Sequence, residues 1–534
     1  MNCFKPIIFT FITLLFFSFF SFSQELPPVL SFTTEDYNAD NQNWSVTQTK
    51  SKDLFFANSK GLLKFDGERW ELLGSPNKTI LRSVFAVDNS VYSGAYMDFG
   101  VWEKNQQDNY QYTSLSKDLD ITEDEQFWKI DQLNQFIVFQ SLHSIYLYNT
   151  TNQSFEVITS EFGITKMMVV NNILYYHKVD EGVFKLINGQ EIPVNTTSLI
   201  QNSLVLNIYD INNQLYAQTQ YNGIIKLSDN SAYVPSNYLD LWPNISVYNS
   251  IQVDNGDIYL GTISHGLLKL SNNQIEFHLN QENNLNNNTI LNLYQDVKGN
   301  IWLGLDNGIN CVNTASKISI YNDGNGDLGT VYTSIKIKDT IYLGTNQGLF
   351  YRDKNSSNFN FIKGTKGQVW SLFNHNNQLF CGHNIGTFLI DNAKARLISN
   401  VQGTWSFKAV DQNTVISGNY NGLHKYKKQD TTWVYEQKIE GFNISTKYFE
   451  FVNKDEILVN HEYKGIYKLK LNDSLTEITS VKKDFSVPKG LYSSIIKYQN
   501  KILYAYKNGI FSYNHTKKQF QKDSILSQFY TNNQ

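Results

Sequence analysis

Past residue 23, apolar residues come in runs of three to six, broken by Asn, Asp, Gly and Lys. Within many runs apolar and polar positions alternate, which predicts half-buried strands, and no stretch carries the 3.6-residue period of an amphipathic helix. The pattern also repeats. IYLGTISHGLLKL from Ile258 is matched by IWLGLDNGINCV from Ile301, IYLGTNQGLFY from Ile341 and LFCGHNIGTFLI from Leu379. VISGNYNGLHKY from Val415 and ILVNHEYKGIYKL from Ile457 follow, with weaker copies beginning at Leu54, Val91, Ile173, Leu215 and Ile502. The second glycine of each copy sets a register: Gly61, Gly100, Gly182, Gly223, Gly266, Gly308, Gly348, Gly386, Gly422, Gly465 and Gly509. Ser144 stands in for it in one degenerate copy. Successive members lie 36 to 44 residues apart, too far for leucine-rich repeats and without the helices of other solenoids.

Each unit reads as four strands. An alternating stretch ends in a tight hairpin (Asn-Gly, Lys-Gly-Asn or Asn-Asn-Gln), a second strand such as IYLGT follows, and a polar loop leads to the register glycine and third strand. A more variable fourth strand comes last, as IEFHL at 275–279. Such a unit is apolar on both faces and must stack on its neighbours around an axis. The small residue inside the second strand (Gly261, Gly304, Gly344, Gly382, Gly418) is expected to make room for the adjoining unit. The register glycine is expected at a positive φ rather than in a phosphate cradle. The fold class is therefore all-β, with tandem β-propellers of four-stranded blades, about twelve of which are visible.

The one long apolar run, Ile7 to Phe22, follows Lys5 and precedes small residues at Ser21 and Ser23, which marks residues 1–23 as a cleaved secretory signal peptide. An exported chain of periplasm or cell envelope is expected, with no membrane segment after cleavage. Removing the leader takes the formal net charge from −4 to −5, and no basic stripe suggests nucleic acid as a partner. Cys311 and Cys381 sit in strand-like stretches and read as free, buried thiols.

GNIWLGLDNGINCV at 299–312 resembles the repeat of two-component regulator propellers, found in the outer sensor regions of bacterial envelope signalling proteins. The opening from Asn41 (NQNWSVTQTKSKDLFFANSKGLLKFDGERWELL) and VYSGAYMDFGVWEK from Val91 are similar to one subgroup of these. There, two seven-bladed propellers precede a triple-tyrosine β-sandwich, a transmembrane helix and a helix-turn-helix or histidine kinase output. The resemblance implies a first propeller over 24–313 with seven units and a second over 314–534, incomplete with five. It also implies that a kinase or transcription-regulating output, and a homodimer contact, would belong to a missing C-terminal part.

No metal-ligand spacing, HExxH, nucleophile elbow or aspartate box occurs, and no cofactor is expected. The chain reads as a non-catalytic sensor of a small polar molecule or glycan fragment. The alternatives are a lyase-type propeller enzyme or a structural, protein-binding module of the envelope. Propeller loops between second and third strands gather at one end of the axis. In this chain they hold Tyr96, Asp98, His265 and Asp306 in the first propeller, and Asn346, His383, Tyr420 and Glu462 in the second. These eight mix aromatic platforms with hydrogen-bonding groups and are the candidate ligand residues. His265, His383 and His461 read as solvated loop histidines, Asn-rich loops as turns first, and Trp302, Trp370 and Trp405 as core of the inner strands.

Overall fold

Backbone that alternates buried and exposed groups must satisfy its N–H and C=O pairs, and here it does so in short antiparallel ladders. The structure, a computed structural model, describes residues 25–237, 242–321, 323, 326–354, 356 and 358–529. The leader expected over 1–23 lies outside them. The chain forms two compact units, one from Gln24 to Asn322 and one from Asp323 onward.

The first unit holds seven four-stranded antiparallel sheets among the described residues. Six are built from four successive strands. The seventh combines Ile290–Gln295, Ile301–Leu305 and Ile309–Val312 with Val29–Phe32, which pairs along Ile309–Val312 as the outer strand. The first strands of the sheets pack in a closed cycle. Asn43–Gln48 meets Ser83–Val87, then Lys129–Leu133, Ile164–Val170, Val205–Ile211, Val247–Gln252 and Ile290–Gln295, which returns to Asn43–Gln48. The unit is a ring of sheets around a channel, closed by its own N-terminal strand. Ile320–Tyr321 also comes back, to pair with Glu25–Leu26.

Both faces of each middle strand are covered. Phe55 and Phe56 are consecutive, point to opposite faces, and are both fully buried. Every position of Ile301–Leu305 is buried as well. At the seam between seventh and first sheets, Trp302, Ile309 and Cys311 join Val46, Leu54 and Phe56 in one apolar cluster. Trp302 belongs to the second strand of its sheet, and its indole N–H donates to Asp296 at 3.0 Å.

The second-strand glycines sit where sheets approach most closely. A Cβ on Gly261 would lie 2.7 Å from the Ile290 side chain of the next sheet. One on Gly304 would run into the Asn43 carbonyl across the ring seam, and one on Gly418 into the Thr446 carbonyl. Gly266 is constrained differently, by a φ of +74° and by the Leu279 carbonyl against its missing side chain. The Asn-Asn pairs at 171–172, 212–213, 272–273 and 376–377 have both φ values near +50 to +60°, as a two-residue type I′ hairpin requires.

Among the described residues the second unit holds five four-stranded sheets, each of four successive strands. Their first strands are Val331–Ile337, Val369–His375, Ser406–Ala409, Tyr448–Phe451 and Ser494–Tyr498. Cys311 and Cys381 are both free and buried.

The seam makes a direct prediction. Gly304→Val should lower stability by about 1–3 kcal/mol, the usual cost of overpacking a filled contact. Gly74→Val, on an exposed outer strand with nothing within 4 Å, should leave the melting temperature nearly unchanged. Equal melting shifts for the two variants would show that the seam is not tightly packed.

Candidate functional site

The inner strands begin irregularly. In seven sheets the pairing with the second strand slips near the start, leaving one extra residue: Trp44, Thr165, Leu206, Tyr248, Leu291, Tyr332 and Trp370. A β-bulge of this kind twists the strand locally and re-aims the extra side chain. Arg82, Trp128 and Trp405 hold the corresponding place ahead of regular inner strands, each donating its backbone N–H to the second strand (Gly94, Gln140 and Gly418). This end of the inner strands is also the end where the second-to-third-strand loops emerge, since Asn43 pairs with Asn58, which pairs with Gly61.

Polar residues at or just after the bulges tie neighbouring inner strands together. Ser45 Oγ donates to the Val84 carbonyl, Thr165 Oγ1 to Val205, Asn207 Nδ2 to Ser250 and Asn249 Nδ2 to Leu291. Asn292 Oδ1 accepts from the Val46 backbone N–H and completes the circuit. The channel edge of every inner strand would otherwise expose unpaired backbone groups, and these side chains satisfy part of it.

In the first ring the channel is a cavity of about 270 Å³. Its wall includes Trp44, Arg82, Trp128, Lys129, Lys166 and Tyr248. The Arg82 guanidinium lies 4.2 Å from the Trp44 ring centre and 4.6 Å from that of Trp128, a double cation–π arrangement. Its Nε donates to Gln126 Oε1 at 2.8 Å, whereas the buried Nη1 and the buried Trp128 Nε1 have no hydrogen-bond partner among the described residues. Burial lowers the Arg82 pKa from its ordinary value, and desolvation followed by the nearby Lys129 charge brings Lys166 down to about 8.

In the second unit the same repeat position builds a row of rings. Tyr332 stacks on Trp370 at 5.0 Å, Trp370 meets Trp405 at 4.7 Å, and Trp405 meets Tyr420 at 5.2 Å. Lys447 continues the row, 5.6 Å from Trp405 and 4.8 Å from Tyr448. A cavity of about 200 Å³ opens beside Trp405, lined also by Ser445, Lys447, His461, Glu462 and Tyr463. Tyr332 and Tyr420 are exposed, and Trp370 and Trp405 are half-buried and outside the apolar core clusters. The core role expected for these two tryptophans therefore belongs to Trp302 alone. Trp370 is the extra residue of a bulge and Trp405 stands one place ahead of its regular inner strand, so the two-face alternation governs neither.

The eight residues selected from the loops fare differently. Tyr420 and Glu462 flank Trp405, and Glu462 also accepts the Tyr492 backbone N–H. Asn346 accepts the N–H of Thr330, which lies just ahead of the first strand of the same sheet. His383 is fully buried, its Nε2 against the Thr365 carbonyl and its Nδ1 accepting the Ile385 N–H, so it is not the solvated loop histidine expected. In the first unit Tyr96 donates to Asp124, and the half-buried Asp98 accepts hydroxyls from Tyr112, Ser114 and Ser116. His265 contacts Ser264 and lends its carbonyl to His278, while Asp306 accepts Gln42 Nε2. None of these four lines the channel. Among the described residues no three His, Cys, Asp or Glu groups converge as a metal site, and no helix is long and apolar enough to cross a membrane.

The residues that do line the two sites had a signal in the repeat. Aligning the first strands places Trp44, Arg82, Trp128, Tyr248, Tyr332, Trp370, Trp405 and Lys447 in one column, just ahead of Ser, Lys, Asn, Thr or Tyr.

No family model matches the chain, and no curated protein does. Solved structures do. The extracellular domain of BT3049 from B. thetaiotaomicron, described as part of a hybrid two component system, is 19% identical with a TM-score of 0.50, over 93% of this chain and 78% of that one. The extracellular domain of BT4673 from the same organism is 17% identical with a TM-score of 0.43, over 95% of this chain and 74% of that one. A streptogramin B lyase is 12% identical with a TM-score of 0.42, over 54% of this chain and 97% of that one. The likeness to the BT3049 domain is one of fold.

Asp98 should behave as a structural carboxylate. Asp98→Ala would strand the hydroxyls of Tyr112, Ser114 and Ser116 and lower stability by about 1–3 kcal/mol in chemical denaturation. A variant as stable as the parent would show that these bonds contribute nothing net.

Proposed function

We propose that this chain is the ligand-sensing region of an exported signal-transduction protein, that it acts by binding rather than catalysis, and that a glycan fragment docks on its second unit. The observation that carries this reading is the ring row Tyr332, Trp370, Trp405 and Tyr420. The exposed Tyr332 and Tyr420 rings at the two ends of the row suit the apolar C–H faces of sugars, and the half-buried indoles between them hold the platform rigid. Hydroxyl groups of a sugar seated on Trp405 would meet Ser445, Lys447, His461 and Glu462, which supply donors and acceptors from the following sheet. The exported leader read from the sequence and the shared fold with an extracellular domain of a hybrid two component system support the sensory role.

Calorimetry of the full chain against a panel of neutral and acidic oligosaccharides tests it. Trp405→Ala and Tyr420→Ala should each weaken the best ligand about tenfold, or ~1.4 kcal/mol, with the melting temperature retained. Parental affinity in both variants, or no binding by any oligosaccharide, would remove the glycan reading.

A further inference from the structure

The channel of the first ring carries a charge pattern that the glycan platform does not account for. Its wall includes Arg82, Lys129 and Lys166, and not one of its lining residues is an acid. Among the described residues none of the three cations is in an ion pair. Three like charges around a space of about 270 Å³ repel one another and lose part of their hydration, both of which favour a bound counter-charge. The asparagines of the same wall are spent on the scaffold: Asn207 and Asn249 donate to neighbouring strands, and Asn292 accepts from one. Among the described residues the wall's groups without a partner are the Arg82 Nη1, the Trp128 Nε1 and the Ser250 hydroxyl, and its only charged groups are Arg82 and the two lysines. Asp306 lies close enough to act on Tyr248 at the loop end, but its carboxylate is taken by Gln42 and lies outside the wall.

From this we propose that the central channel of the first ring binds a small organic carboxylate of about monosaccharide size. The guanidinium is clamped between two indoles and anchored through Nε to Gln126, so its planar fork is held in place before a carboxylate arrives. A carboxylate beside this guanidinium gains a charge-assisted contact, and Lys166 and Lys129 add to the positive field that holds it. The volume equals that of about nine water molecules, which admits one sugar acid or dicarboxylate and excludes an oligosaccharide.

The test uses the full chain, with calorimetry and tryptophan fluorescence as readouts and D-glucuronate, succinate, inorganic phosphate and D-glucose as probes. D-glucuronate and D-glucose differ only in a carboxylate replacing a hydroxymethyl group. At least one of the two carboxylates should bind about tenfold or more tightly than D-glucose and perturb the tryptophan emission. Arg82→Gln and Lys166→Met should each weaken that binding about tenfold with the melting temperature kept. Lys166→Met leaves the Trp44–Arg82–Trp128 stack in place, so it decides the matter if Arg82→Gln does not fold. These outcomes overturn the assignment: neither carboxylate bound more tightly than D-glucose, no anion bound at about 20 mM, phosphate preferred over both carboxylates, or parental affinity in Lys166→Met. Loss of carboxylate binding in Trp405→Ala would move the anion to the second unit and overturn it too, whereas failure of the oligosaccharide panel alone leaves it standing.

Discussion

A four-stranded sheet with apolar side chains on both faces must be covered twice, and the rest of this structure depends on that requirement. Consecutive buried residues such as Phe55 and Phe56 cannot both be shielded by one neighbour. Each sheet therefore lies between two others, and the first unit meets the condition by closing into a ring. Closure in turn demands a fourth strand for the seventh sheet, which Val29–Phe32 provides from the other end of the unit. Close approach at each contact demands glycine in the second strand, and at Gly304 the nearest group is the Asn43 backbone of the first sheet.

The ring leaves one problem unsolved and turns it to use. First strands face the channel with their outer backbone edge unpaired. Side chains from the adjacent strand occupy some of these groups, and at the strand start a bulge, or a residue just ahead of a regular strand, stands outside the alternation of the ladder. That residue is free of the two-face packing rule. It is tryptophan, arginine or tyrosine at four places in the first ring, and tyrosine or tryptophan at three successive places in the second unit. One structural position thus supplies a cationic channel in one unit and an aromatic row in the other.

Much of this architecture was legible in the sequence because its determinants are local. Hairpin residues, register glycines and the alternation of each strand lie within one repeat, so they show as periodic text. The seventh sheet was harder, since its outer strand comes from 280 residues upstream, although the absence of an apolar run after Val312 was a hint. The candidate site was read less well. Asp98 and His383 look like open loop groups, but their partners Ser114, Ser116 and Thr365 stand 16 to 18 residues away and consume them. Trp370 and Trp405 look like strand core because simple alternation assigns every strand residue to one of two faces, but a bulge breaks that count at Trp370 and the regular ladder begins only after Trp405. Tyr420 and Glu462, on the same loop class, do lie beside the row.

The central claim is that ligands meet the starts of the inner strands, while the other strands serve the contacts between sheets. Amide hydrogen exchange of the full chain, followed by mass spectrometry with and without the oligosaccharide that calorimetry selects, tests it most directly. The account predicts slowed exchange at residues 331–334, 369–372 and 405–408, with outer strands such as Lys394–Ser399 and Thr432–Lys438 unchanged. Slowing confined to the outer strands, with the inner-strand starts unaffected, would contradict it.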